Sequence, residues 1–125
     1  MPAYDTSYFD PPAPVAGVSF VNPANGMQID EVSMLLDTGA DVTIVPERVL
    51  QALEAEKLDV AYEIEYLEGA APDALAAVHL QMQWLGFKFT GSFLVSAVPY
   101  GIVGRNILNR LVLVLDGPAQ RWEIR

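Results

Sequence analysis

The chain has 125 residues and a mass of 13.6 kDa, enough for one hydrophobic core and not two. Its 7 Lys+Arg against 16 Asp+Glu give a formal net charge of −9, and the basic residues are scattered, which argues against nucleic acid and against anionic membrane surfaces as partners. Only 18% of residues are charged and the mean hydropathy is +0.27, so the chain is too apolar to be disordered and has surface to spare for an oligomer.

The absence of cysteine excludes disulfides and thiolate chemistry, and the single histidine, His79, argues against Ser-His catalysis and multi-His metal sites. No stretch approaches the ~20 apolar residues of a membrane-spanning helix. No Lys or Arg precedes Arg48 and no apolar leader core is seen, so the expected location is soluble and cytoplasmic rather than secreted.

Residues 1–14 read as a proline-rich arm, with Pro2, Pro11, Pro12 and Pro14 opposing regular structure. Either it frays, or its aromatics Tyr4, Tyr8 and Phe9 dock on a partner or a neighbouring surface. Residues 15–125 read as the domain proper. Val15–Val21 is a strand, Asn22–Gly26 a turn, and Met27–Leu36 a second strand whose alternation slips between Ile29 and Val32, the mark of a bulge. Val42–Val45 is a short strand. Pro46 opens a helix over Glu47–Ala55 with Val49, Leu50 and Leu53 on one face.

Val60–Leu67, Leu75–Leu85 and Lys88–Ala97 follow as strands, with small residues around Gly69 and a turn at Gly86 between them. Arg105–Arg110 reads as one or two helical turns, Leu111–Leu115 as an apolar run, and Arg121–Ile124 as a last strand beyond the Asp116-Gly117-Pro118 turn. Many short strands and at most two short helices predict an all-β closed barrel or sandwich.

Two segments carry the chemistry. In Met34-Leu35-Leu36-Asp37-Thr38-Gly39-Ala40-Asp41 an apolar strand runs straight into an acid. A carboxylate there has lost part of its water, Thr38 offers a hydroxyl, and Gly39 lets backbone approach backbone. The plainer reading is a strand ending in an Asx turn. In Ile102-Val103-Gly104-Arg105-Asn106-Ile107-Leu108 a cation sits on an apolar stretch, and Asp41 is its natural partner. The plainer reading here is a strand-to-helix corner with an exposed Arg. Other features are ordinary: His79 as a packed or edge histidine, Trp84 and Trp122 as core, and Glu54, Glu56 and Asp59 as a solvated face. Asp37 and Asp41 are too few for a calcium or magnesium site, so no metal is expected.

In this order and spacing, Leu35–Asp41 and Ile102–Leu108 resemble the retropepsin-like, or retroviral-type, aspartic proteases, over about residues 15–116. The resemblance implies the retropepsin-like β-barrel acting as a homodimer, without cofactor. It makes Asp37 the catalytic acid, one of two carboxylates that share a proton across a two-fold axis. A chain with one Asp-Thr-Gly supplies half of such a pair. It implies that Thr38 and Gly39 support the site and that Asp41 and Arg105 form a structural pair. Ala40, Asp41, Val42, Ile102 and Val103 would line the substrate groove, and Gly69, Ala70 and Ala71 would form a flap. The substrate would be an extended peptide or unfolded protein cut at apolar sites. Tyr8-Phe9 in the arm is such a site, so self-processing is an expectation too.

Three features depart from the viral pattern. The flap segment is poor in glycine, Pro72 and Asp73 follow it, and the proline-rich start fits poorly into a dimer sheet made from both termini. Leu111–Leu115 and Arg121–Ile124 are the alternative strands for that sheet. Two other functions compete. One is a dimeric peptide-binding or scaffolding module of the same fold that cleaves nothing. The other is an ordinary β-sandwich with coincidental motifs. Two −9 chains repel at neutral pH, so association and activity are expected to favour acid.

Overall fold

A computed structural model describes residues 2–64 and 73–125, with side chains described for 2–58 and 76–125. The strands are β1 (Val15–Val21), β2 (Gln28–Leu36), β3 (Ile44–Pro46), β4 (Lys57–Ile64), β5 (Asp73–Trp84), β6 (Phe87–Ser96), β7 (Gly101–Val103), β8 (Leu113–Asp116) and β9 (Arg121–Ile124). Two helices interrupt them, α1 (Glu47–Leu53) and α2 (Arg105–Leu108). The hydrogen-bonded order β1-β2-β7-β3-β6-β5 closes on itself through a β1–β5 pairing, so six strands make a barrel. The long strand β5 makes this closure possible. One edge pairs with β6 along its length, while the other is shared between β4 at its start and β1 at Gln81–Gln83.

The barrel is filled by residues that alternate along the strands. Val18 and Phe20 of β1, Val32, Met34 and Leu36 of β2, and Leu80 and Met82 of β5 are all buried. Phe20 and Phe93 meet edge to face with centroids 5.6 Å apart. The slip in β2 is a bulge: Val18 faces Val32, Phe20 faces Ile29, and Glu31 takes a left-handed φ of 56° to absorb the extra residue. Val49, Leu50 and Leu53 of α1 close one side of the core, and Glu54 ends the helix in the left-handed conformation. The helix therefore stops short of Ala55.

Two boundaries differ from the sequence reading in an informative way. Val42 and Thr43 lie just before β3 and not in it: the Thr43 carbonyl accepts one bond from Leu94 N of β6 at 3.3 Å, while its hydroxyl meets the segment after β7. β7 itself is only three residues long and was hidden inside a motif read for its chemistry. Trp84 and Trp122 are buried, with centroids 5.8 Å apart, and Trp122 Nε1 donates to the Val15 carbonyl at 3.2 Å. That contact ties the β8–β9 hairpin to the barrel.

The arm is paired, and with its own chain. Trp122 N donates to the Pro2 carbonyl at 3.0 Å, and Tyr4 N donates to the Gln120 carbonyl at 2.8 Å. Asp5 and Ala13 exchange backbone hydrogen bonds and close a loop. Inside it the Asp5 carboxylate accepts from Ser7 N and Tyr8 N at 2.8 and 2.9 Å. Tyr8 and Phe9 at the loop tip pack edge to face on Tyr100, with centroids 5.3 and 4.9 Å from it. A bond inside this loop is not presented as an extended strand, which opposes self-cleavage at Tyr8-Phe9.

The N–H bond from Tyr8, and then those from Ser7, hold the Asp5 carboxyl below its ordinary value of 3.8. The brace is fully present above that value and is lost as pH falls through the lower folded value. Asp5→Ala is expected to speed amide hydrogen exchange at Ser7, Tyr8 and Ala13 several-fold near neutral pH while leaving the β5 and β6 amides unchanged. In the wild type the same loosening should appear only in strong acid.

Candidate active site

β2 stays apolar to Leu36 and then meets Asp37. Its parallel neighbour β7 ends level with it, Leu36 opposite Val103, so the residues after both strands emerge side by side. Asp37 N donates to the Val103 carbonyl at 3.1 Å, which extends the ladder by one bond. The side chain is half-buried. Its Oδ1 accepts from Gly39 N at 2.8 Å, an Asx turn, and Ala40 N donates to the Asp37 carbonyl at 3.2 Å. A Cβ on residue 39 would stand 3.1 Å from that same Oδ1, so glycine leaves the carboxylate room to turn. Among the described residues the other carboxylate oxygen accepts no hydrogen bond.

The loop beyond Asp37 is fastened to the start of α2 at Thr38, Ala40 and Asp41. Arg105 N donates to the Ala40 carbonyl at 2.8 Å and Asn106 N to the Asp41 carbonyl at 3.3 Å. The Arg105 guanidinium spans two points of the loop: Nη1 donates to the Thr38 carbonyl and Nη2 to Asp41 Oδ1, both at 2.6 Å. The Arg105 and Asp41 side chains are 43% and 83% exposed, so their charge attraction adds only about 0–1 kcal/mol, and the value of the guanidinium is its two-point geometry.

Deeper, the buried Thr43 hydroxyl donates to Asn106 Oδ1 at 2.8 Å and accepts from Gly104 N at 3.1 Å. A Cβ on residue 104 would overlap the Val42 carbonyl, which is why that position is glycine.

The candidate residues therefore come together, with differences. Thr38 and Gly39 are exposed and Ala40 is half-buried. Val42 and Ile102 are half-buried and pack on a small apolar cluster of Ile44, Ala77 and Leu94, on the opposite side of β7 from the main core. Val103 is not part of that surface. It is fully buried in the main core, because period-two alternation along β7 turns Gly101 and Val103 inward and Ile102 outward. Val103 as a groove residue is therefore corrected.

Gly69, Ala70 and Ala71 lie outside the described residues, in sequence between the antiparallel strands β4 and β5. His79 is exposed on β5 and lines a cavity of about 410 Å³ with Asn22, Asn25 and Glu56, a site that does not include Asp37. Among the described residues, no three acidic or histidine side chains converge as metal ligands would.

Sequence reasoning missed Thr43 and Ile44. A lone Thr in the apolar run Val42–Val45 was the available signal, since a hydroxyl buried among valines must find a partner. Asn106 was quoted in its motif without a role, and here it is that partner.

Two substitutions test this joint, with Gly91→Ala as their control. Gly104→Ala is expected to destabilise the fold by about 3 kcal/mol in urea denaturation. Gly91→Ala, where a Cβ meets nothing within 4 Å, should change stability by less than about 1 kcal/mol. Thr43→Val keeps the shape but leaves the Gly104 amide and the Asn106 carbonyl unpaired, at a cost of about 1–3 kcal/mol.

The comparisons with known proteins bear on the family and the fold. The family model described as retroviral aspartyl protease matches residues 21–116. No curated protein sequence matches the chain. Among solved structures, the EIAV protease complexed with the inhibitor HBY-793 superimposes with a TM-score of 0.57 at 21% identity. The match covers 87% of this chain and 93% of that one, a likeness of fold. With the Asp37 turn and the Gly104–Asn106 corner both inside the matched span, the chain belongs to the retroviral aspartyl protease family.

Proposed function

We propose that the chain is an aspartic endopeptidase whose active unit is a homodimer, with residues 15–125 as the protease domain and 1–14 as an arm. The observation that carries the reading is the half-buried Asp37 at the end of β2, in an Asp-Thr-Gly turn fixed by the Arg105 corner. Nothing in the packing of the barrel requires an acid there.

One carboxylate per chain sets the rest. Two copies of Asp37 a few Å apart cannot both ionise, so the pair holds one proton. The charged member takes a proton from water as it attacks the scissile carbonyl, and the neutral member donates to the carbonyl oxygen. Thr38 and Gly39 support the pair, and Arg105 with Asp41 positions the loop that carries it. Ala40, Asp41, Val42 and Ile102 flank an extended peptide, with Ile44 and Leu94 behind them, which favours apolar side chains at the cut. Gly69, Ala70 and Ala71 supply the closing segment over the peptide and keep out water.

The test is cleavage of an unfolded protein mixture from acid to mildly alkaline pH, with cut sites read by mass spectrometry. Wild-type cutting should occur next to apolar residues, fade as both carboxylates ionise, and fall about 10²–10⁴-fold in Asp37→Asn, which keeps the shape and removes the shared proton. No cutting by a folded dimer that still binds peptides would instead identify a non-catalytic peptide-binding module.

A further inference from the structure

We propose that Tyr8 and Phe9 of the arm are positioning residues for the groove: they hold the Tyr100 ring where a bound peptide meets it. The proposal rests on the protease reading and adds the arm to its site.

Strand register places Tyr100. In the parallel pair β2–β7, Met34, Leu35 and Leu36 face Gly101, Ile102 and Val103. One step back, Ser33 stands opposite Tyr100. Met34, Leu36 and Val103 point into the main core, so Leu35 and Ile102 take the other face of the sheet. Val15 lies opposite Leu35, and Ile44 lies opposite Ile102, on that same face. Asp37, two residues beyond Leu35, keeps the parity, and Ser33 and Tyr100, two residues before this row, keep it as well. The face that carries the candidate acid and groove therefore continues to Tyr100. At a rise of about 3.3 Å per residue, Tyr100 lies about 13 Å back from the level of Asp37, the span of about four residues of extended peptide.

Tyr100 does not rest on the core. It packs against neither apolar cluster, and a cavity of about 300 Å³ lies beside it, lined by Val15, Ser33 and Arg48 together with the arm loop. Residues 97–100 belong to no strand or helix. What meets the ring is the arm. Tyr8 and Phe9 both stand edge to face on Tyr100, and their own centroids are 5.3 Å apart, also edge to face. Each of the three rings touches the other two, so moving one breaks two contacts.

The arm can serve as a brace because it is itself fixed. Asp5 and Ala13 close its loop, and the Asp5 carboxylate holds the Ser7 and Tyr8 amides inside it. Beyond the loop, Leu36 N donates to the Pro14 carbonyl at 3.0 Å, one residue before Asp37. The arm is thus anchored on the strand that carries the acid, and its two rings pass that reference point on to Tyr100.

The test uses a quenched-fluorescence peptide with Leu-Phe at its centre, both as a substrate and as an uncut ligand of the Asp37→Asn chain. Tyr8→Ala combined with Phe9→Ala should remove the ring-current shifts of the Tyr100 ring protons in NMR spectra. It should raise KM about tenfold and leave kcat within about twofold, because it removes binding and not chemistry. In the Asp37→Asn chain the dissociation constant should rise by the same factor. Tyr8→Phe and Phe9→Tyr keep the rings and should stay near wild type. Asp5→Ala frees the loop but keeps the rings, and should raise KM by less.

Lost ring-current shifts with unchanged KM and dissociation constant would overturn the brace. A fall in kcat that tracks a lower urea midpoint would show a role in stability alone and overturn it too. A wild-type chain that binds the peptide without cutting it, and binds it more weakly once the two rings are removed, would overturn the protease reading and leave the brace standing. A wild-type chain that neither binds nor cuts would overturn both.

Discussion

The junction between the Asp37–Thr43 loop and the Gly104–Asn106 corner is the constraint on which the rest of the molecule depends. Barrel closure brings the ends of β2 and β7 level, and the junction turns that coincidence into a fixed loop. Its strength lies less in the visible ion pair than in what lies beneath it. Arg105 and Asp41 are too exposed for their charges to count for much. The backbone bonds to Ala40 and Asp41 and the buried Thr43 hydroxyl are shielded or obligatory, and losing them leaves polar groups unpaired. Gly104 makes the approach possible by having no side chain. The role proposed for Asp37 needs this kind of support, because misplacement by about 1 Å can cost about 10²-fold in rate.

The same economy shows in the barrel. A closed barrel buries enough apolar surface to hold these residues together while leaving one loop, the Asp37 loop, free of the core. On the proposed reading, half of an acid pair is made whole by symmetry, not by a second domain. The C-terminal hairpin is bound to the barrel through Trp122 and Val15, and its β9 edge is sealed by the chain's own arm. The arm thus works as an intramolecular strand and as an aromatic brace on Tyr100, the residue just before β7.

The strands that alternate strongly were legible in the sequence. β1 emerges with its expected bounds and β2, β5 and β6 with boundaries shifted by a residue or two, and the slip at Ile29–Val32 was visible as broken alternation because a bulge moves the buried set to the other parity. The Asp37 turn and the Arg105–Asp41 partnership were legible because an acid at the end of an apolar strand and a cation on an apolar stretch both demand an explanation. What sequence did not show is set by long-range geometry. Val103 reads as well as Ile102 for a groove, and only the pairing of β7 with β2 decides which of them points inward. Thr43 looked like one strand residue among four, and its partner lies 63 positions away. The pairing of a proline-rich arm with β9 has no local signal at all.

The most direct measurement of the central claim is the activity of mixed dimers. Wild-type chain is unfolded and refolded with increasing Asp37→Asn chain at constant total concentration, and peptide cleavage is followed in acid. If each site is built from one Asp37 of each copy, only dimers of two wild-type chains cut, and activity falls as the square of the wild-type fraction. Activity that falls in simple proportion to that fraction would show that each chain works alone and would contradict a shared site.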